Sequence, residues 1–142
     1  MRILRSLLLG VLLVPFHLQA AQVEIHQPWL KETIPGSENG AAYLTLTNTG
    51  SEPLTLVGAS TAAARLTEIH HHRMADGMMI MEQLPELILP VGEPVVFQPG
   101  GHHLMLFGIS QPFKPGDTVD FVLQFSDGNE VTFTADVRSI HD

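Results

Sequence analysis

The sequence predicts an all-β domain, an antiparallel Greek-key β sandwich or barrel. Three observations carry that expectation. Apolar and polar residues alternate with period two along most of the chain. Glycine- and proline-rich turn signals separate the alternating runs at short intervals. The one helix-compatible stretch, residues 62–66, is too short to build a helical layer. With 142 residues, 44% of them hydrophobic and only 15% charged, the chain has room for one packed core and is too apolar for wholesale disorder.

From the N-terminus, Arg2 and Arg5 precede an apolar run over residues 7–16, followed by the small Ala20 and Ala21. That order is the n-region, h-region and cleavage site of a secretory signal peptide, expected over residues 1–20 and removed after Ala20 or Ala21. A membrane anchor needs about 20 apolar residues, and this run is shorter and carries Pro15. Residues 21–142 are expected to form a single soluble domain outside the cytoplasm. Strands are predicted over residues 23–26, 42–47, 54–59, 66–72, 78–84, 95–98, 103–107, 119–125 and 131–137. In the run 119–125, Val119, Phe121, Leu123 and Phe125 share one face, opposite Asp120 and Gln124. Turn signals stand at Pro35-Gly36, Asn39-Gly40, Asp76-Gly77, Pro99-Gly100-Gly101, Pro115-Gly116 and Asp127-Gly128.

Composition removes several functions. The chain has no cysteine. Disulfide scaffolds, thiolate zinc sites, cysteine nucleophiles, iron–sulfur clusters and blue-copper centres are therefore excluded, and no cysteine is offered to a bacterial lipid anchor. Loss of the leader would remove two of seven basic residues and take the formal net charge from −8 to −10, so a basic nucleic-acid footprint is absent. No paired carboxylates, GxSxG, HExxH or phosphate-cradling glycine loop is present.

Five of the six methionines and five of the eight histidines lie between residues 70 and 105. Taken singly, a methionine is usually a core filler, a histidine run is usually solvated, and Trp29 and Tyr43 read as packing. As a set they do more. If Leu104 and Leu106 face the core, His103 and Met105 point the other way, side by side. If Met74-Ala75-Asp76-Gly77 forms a four-residue loop, His72 faces Met79 and His70 faces Met81, with Ile69 and Ile80 turned to the core. Cross-strand neighbours lie about 5 Å apart at Cβ, close enough to share an ion. A slip of one residue would destroy the alignment. Soft thioethers with borderline imidazoles and no carboxylate suit Cu(I), whereas zinc prefers cysteine, histidine or carboxylate.

His70, Met81, His103 and Met105 follow the spacing H-x10-M-x21-H-x-M, within the flanking text PWLKETIPGSENGAAYLTLTNTG, TEIH, MADG and PGGHHLMLFG. This pattern resembles the signature of the periplasmic PCu(A)C copper chaperones over residues 23–137. The resemblance implies a cupredoxin-like barrel or sandwich carrying Cu(I) on those four residues and no catalytic activity. It also implies delivery to a respiratory cytochrome c oxidase, at the copper A centre of subunit II, or to another cuproprotein client, alongside a Sco-type thioredoxin-fold protein. His71, His72 and His102 are additional to the pattern and open the prospect of a secondary Cu(II) site. Two other functional classes stay open at this point: a copper- or zinc-buffering protein without a dedicated client, and a copper-dependent redox enzyme.

Overall fold

A computed structural model of the chain describes residues 22–141 together with Leu12 and Leu13. Apart from those two leucines, the leader expected over residues 1–20 lies outside the described residues. The alternating runs form ten strands: β1 (Val23–Lys31), β2 (Asn39–Asn48), β3 (Leu54–Ser60), β4 (Ala64–Ala75), β5 (Met78–Gln83), β6 (Leu87–Leu89), β7 (Pro94–Val96), β8 (His103–Ile109), β9 (Thr118–Phe125) and β10 (Glu130–Arg138). No helix occurs among the described residues, as expected for the all-β class.

Seven strands close a barrel in the order β4-β8-β2-β1-β10-β9-β3, and β3 returns to β4 through Ala59 opposite Thr67. Neighbours are antiparallel except β1 beside β10. The connections from β2 to β3 and from β8 to β9 cross between non-adjacent strands, in Greek-key fashion. β5, β6 and β7 extend β4, β3 and β2 respectively. Inside, Leu30, Leu44, Leu46, Leu56, Ile69, Leu89, Leu104, Leu106, Phe121 and Leu123 are sealed from water. Each contributes about 1.5–3 kcal/mol of apolar burial.

Several elements differ from expectation, each for a local reason. β1 runs on to Lys31 because a bulge between His26 and Trp29, with Gln27 at φ 47°, absorbs the break in alternation at Gln27-Pro28. β6 has only three residues, too few for a pattern to show. β7 begins at Pro94 and ends at Val96; Phe97 leaves the strand to bridge His102.

The turn of the β4–β5 hairpin is the main correction. Asp76 (φ 50°) and Gly77 (φ 77°) alone form it. Both sit in the left-handed region that a two-residue type I′ turn requires and that Asp-Gly supplies cheaply. The four-residue loop is therefore not formed, and the register moves by two residues. His72 faces Met81, Met74 faces Met79 and His70 faces Gln83. An even shift keeps every side chain on its expected face. Ile80 sits half-buried opposite Arg73, outside the core. On that same side His71 Nε2 donates to Glu82 Oε1 (2.8 Å) and Arg73 Nε lies 2.9 Å from Glu82 Oε2. The hydrogen bond from His71, then that from Arg73, holds the Glu82 carboxyl below its usual pKa. Glu82 thus pins the register.

The ladder between β4 and β8 places Ile69 opposite Leu104 and His70 opposite His103. Ile69 and Leu104 are buried in the core, so the two histidines occupy the outer face. Leu104→Ala is expected to lower the unfolding free energy by about 2–5 kcal/mol in urea denaturation; a loss under about 1 kcal/mol would show that this pair does not anchor the ladder.

Candidate metal centre

The outer face of β4, β5 and β8 gathers the methionines and histidines because the inner face is claimed by leucine and isoleucine. On β4 the alternation sends Glu68, His70, His72 and Met74 outward; on β8 it sends His103, Met105 and Phe107. Three of the four pattern residues meet in direct geometry. The His70 and His103 rings lie 5.8 Å apart, centroid to centroid. His103 Nε2 is 3.2 Å from Met81 Sδ. Met105 stands two residues beyond His103 on the same face, half-buried and opposite Glu68. Met81 reaches His103 from the row of His72 rather than from opposite His70.

Hydrogen bonds fix which nitrogen of each imidazole carries a proton. Among the described residues, the partner of His103 Nδ1 is the Gly101 carbonyl at 3.2 Å, which can only accept. Nδ1 therefore holds the proton and Nε2 is bare, facing the sulfur of Met81. Two lone pairs at that separation do not bond each other. With metal bonds of about 2.0 Å to nitrogen and about 2.3 Å to sulfur, two ligands of one tetrahedral ion stand about 3.5 Å apart. His70 is arranged the other way round. Its Nε2 donates to Glu68 Oε2 at 2.7 Å, which in the neutral imidazole leaves Nδ1 bare; that nitrogen is buried and has no partner among the described residues. His72 Nδ1 is likewise buried and without a partner among the described residues, with its ring 5.2 Å from that of His103. Burial lowers the His103 pKa, helped by the neighbouring imidazoles of His72, His70 and His102 and opposed by the Gly101 bond. At neutral pH His103 is therefore a free base, as a ligand must be.

Exposure is graded across the group. His103 (4%) and His70 (8%) are buried, whereas Met81 is 47% exposed. Among the described residues no three histidine, aspartate or glutamate side chains are placed to hold a metal by themselves, so imidazole alone does not complete a site here. Phe107 packs 5.9 Å from the His70 ring and walls one side.

The three additional histidines do not converge on one secondary site. Strand alternation leaves His72 on the outer face with His103 and sends His71 and His102 to the opposite face, their rings 5.8 Å apart. There His71 is engaged by Glu82, and His102 packs edge-on to Phe97. The residue beside this group that the sequence pattern left without a role is Glu68, the hydrogen-bond partner of His70. Its signal was present in TEIH: a carboxylate two residues before a histidine shares that histidine's face in a strand.

Comparison with known proteins places the chain. The family model for putative LpqE-like lipoproteins matches residues 23–137. A putative lipoprotein of Leifsonia xyli subsp. xyli is 33% identical over 112 residues, a match that covers 78% of this chain and 66% of that protein's length. Among solved structures, the copper-bound PCuAC domain from PmoF2 superposes with a TM-score of 0.70 at 25% identity, over 85% of this chain and 96% of that one. The solution structure of the Cu(I) form of DR1885 from Deinococcus radiodurans does so with a TM-score of 0.66 at 32% identity, over 85% and 81%. The barrel is thus the cupredoxin-like barrel of PCuAC domains, and the chain belongs to the LpqE-like family.

Proposed function

We propose that this chain is an extracytoplasmic copper chaperone that holds one Cu(I) on His70, Met81, His103 and Met105 and passes it to a cuproprotein. The observation that carries this is the convergence on one face of the bare Nε2 of His103, the Met81 sulfur 3.2 Å from it and the unpartnered Nδ1 of His70. Met105 supplies the fourth ligand from its position beside His103. Copper-bound domains among the structural relatives support the choice of cargo. Two thioethers and two neutral imidazoles carry no charge, and Glu68 beside His70 balances the single positive charge of Cu(I) without entering the ligand set.

Four ligands leave the ion no vacant position for oxygen or superoxide, which favours carriage over turnover. The buried imidazoles grip, and the exposed Met81 is the first ligand to yield, so a partner's donor replaces it stepwise. The client inferred from the family resemblance is the copper A centre of cytochrome c oxidase subunit II, reached with a Sco-type protein. Export through the leader at residues 1–20 would bring the domain of residues 21–142 to the periplasm.

A competition titration against a chromophoric Cu(I) chelator tests the ligand set. The wild-type chain is expected to bind one Cu(I) tightly. His103→Ala and Met105→Leu are expected to weaken binding on the order of a hundredfold, about 2.7 kcal/mol, and Met81→Leu less while speeding transfer to the chelator. Absence of tight binding would overturn the proposal, and slower transfer at unchanged affinity in Met81→Leu would overturn the exit role of Met81. Long-range proton–nitrogen NMR of the metal-free chain tests the protonation pattern. His70 should carry its proton on Nε2, and Glu68→Ala should give a mixture of tautomers; a proton on His70 Nδ1 in the wild type would contradict the arrangement.

A further inference from the structure

The tip of the β4–β5 hairpin holds a second group of soft donors that the first site does not use. Met74 and Met79 are directly paired across the hairpin and are 62% and 58% exposed. Two large apolar side chains held in water are not explained by core packing. They share the outer face with His72, which is two residues from Met74 on β4 and one register step from Met79. His72 Nδ1 is buried without a hydrogen-bond partner among the described residues. The His70–His103 pair lies four residues down β4 from Met74, about 13 Å at the rise of an extended strand, so these thioethers cannot reach an ion held there.

The geometry points to a second Cu(I) station at the hairpin tip, formed by the sulfurs of Met74 and Met79 and by Nδ1 of His72. Two thioethers and one imidazole make a neutral, soft, three-coordinate set that selects Cu(I) over hard or borderline ions. It has one ligand fewer than the first site and more exposure, so it binds more weakly and exchanges faster. Met81 faces His72 directly and touches His103, standing between the two stations. An ion can then move along the outer face by ligand exchange, taking one donor before leaving another, with no change of oxidation state. The hairpin tip becomes the door through which copper enters or leaves the buried histidines.

Met78 supplies an internal control. It is the remaining methionine of the hairpin and is exposed, but it pairs with Ala75 and points to the other face. The test is methyl NMR of the full chain labelled at the methionine methyls, titrated with Ag(I) as the redox-inert stand-in for Cu(I). The Met81 and Met105 methyls are expected to shift over the first equivalent and those of Met74 and Met79 over the second, with Met78 unmoved. The double variant Met74→Leu/Met79→Leu, which keeps the apolar bulk, should lose the second ion and retain the first. The second station is overturned if Met74 and Met79 stay still through excess Ag(I), if they move together with Met81 and Met105 over the first equivalent, or if Met78 moves as they do. Shifts at Met74 and Met79 with none at Met81 and Met105 would support the tip station while contradicting the four-ligand site, so the two claims fail separately.

Discussion

The β4–β8 ladder is the constraint on which the rest depends. Ile69 and Leu104 face each other inside the barrel and are sealed from water. Because side chains alternate across a strand, burying that pair commits the next pair, His70 and His103, to the outer face directly opposite one another. No separate device is needed to bring the imidazoles together. The hydrophobic core aims them, and a one-residue slip would send both into the core, where an unpaired imidazole is costly. Closure of the barrel through Ala59 and Thr67 fixes β4 at its other edge, so the ladder cannot drift.

Hydrogen bonds then do for the nitrogens what packing does for the rings. The Gly101 carbonyl claims Nδ1 of His103, and the Glu68 carboxylate claims Nε2 of His70. In the neutral imidazoles each bond leaves the opposite nitrogen bare, Nε2 of His103 and Nδ1 of His70. Such outer partners set ligand orientation and basicity in metal sites generally. In the proposed carrier they also reconcile grip with release: the two imidazoles are buried and tied, whereas the Met81 thioether needs no deprotonation and is exposed.

Much of this was legible in the sequence. Period-two alternation placed the long strands, and the leucines around His103 and Met105 announced which face those residues would take. The H-x10-M-x21-H-x-M spacing pointed to the residues that the fold gathers. The hairpin register was not legible in the same way. Asp76-Gly77 fits either the end of a four-residue loop or a complete two-residue turn. The choice was made by two left-handed residues in succession and by the bonds from His71 and Arg73 to Glu82. Those contacts join residues about ten positions apart and leave no periodic trace. The faces are those expected because the shift is even, so the outer-face group of histidines and methionines was legible although His70 does not pair with Met81. β6 and the bulge at Gln27 escaped for a simpler reason: three residues, or one, do not make a pattern.

On the proposed reading, barrel, ladder and outer hydrogen bonds serve one coordination: a single Cu(I) held by two imidazole nitrogens and two thioether sulfurs. X-ray absorption at the copper edge of the full chain loaded with one equivalent of Cu(I) addresses it directly. The account predicts a four-coordinate shell of two nitrogens near ~2.0 Å and two sulfurs near ~2.3 Å. A shell of nitrogen and oxygen alone, or one holding three sulfurs, would contradict it.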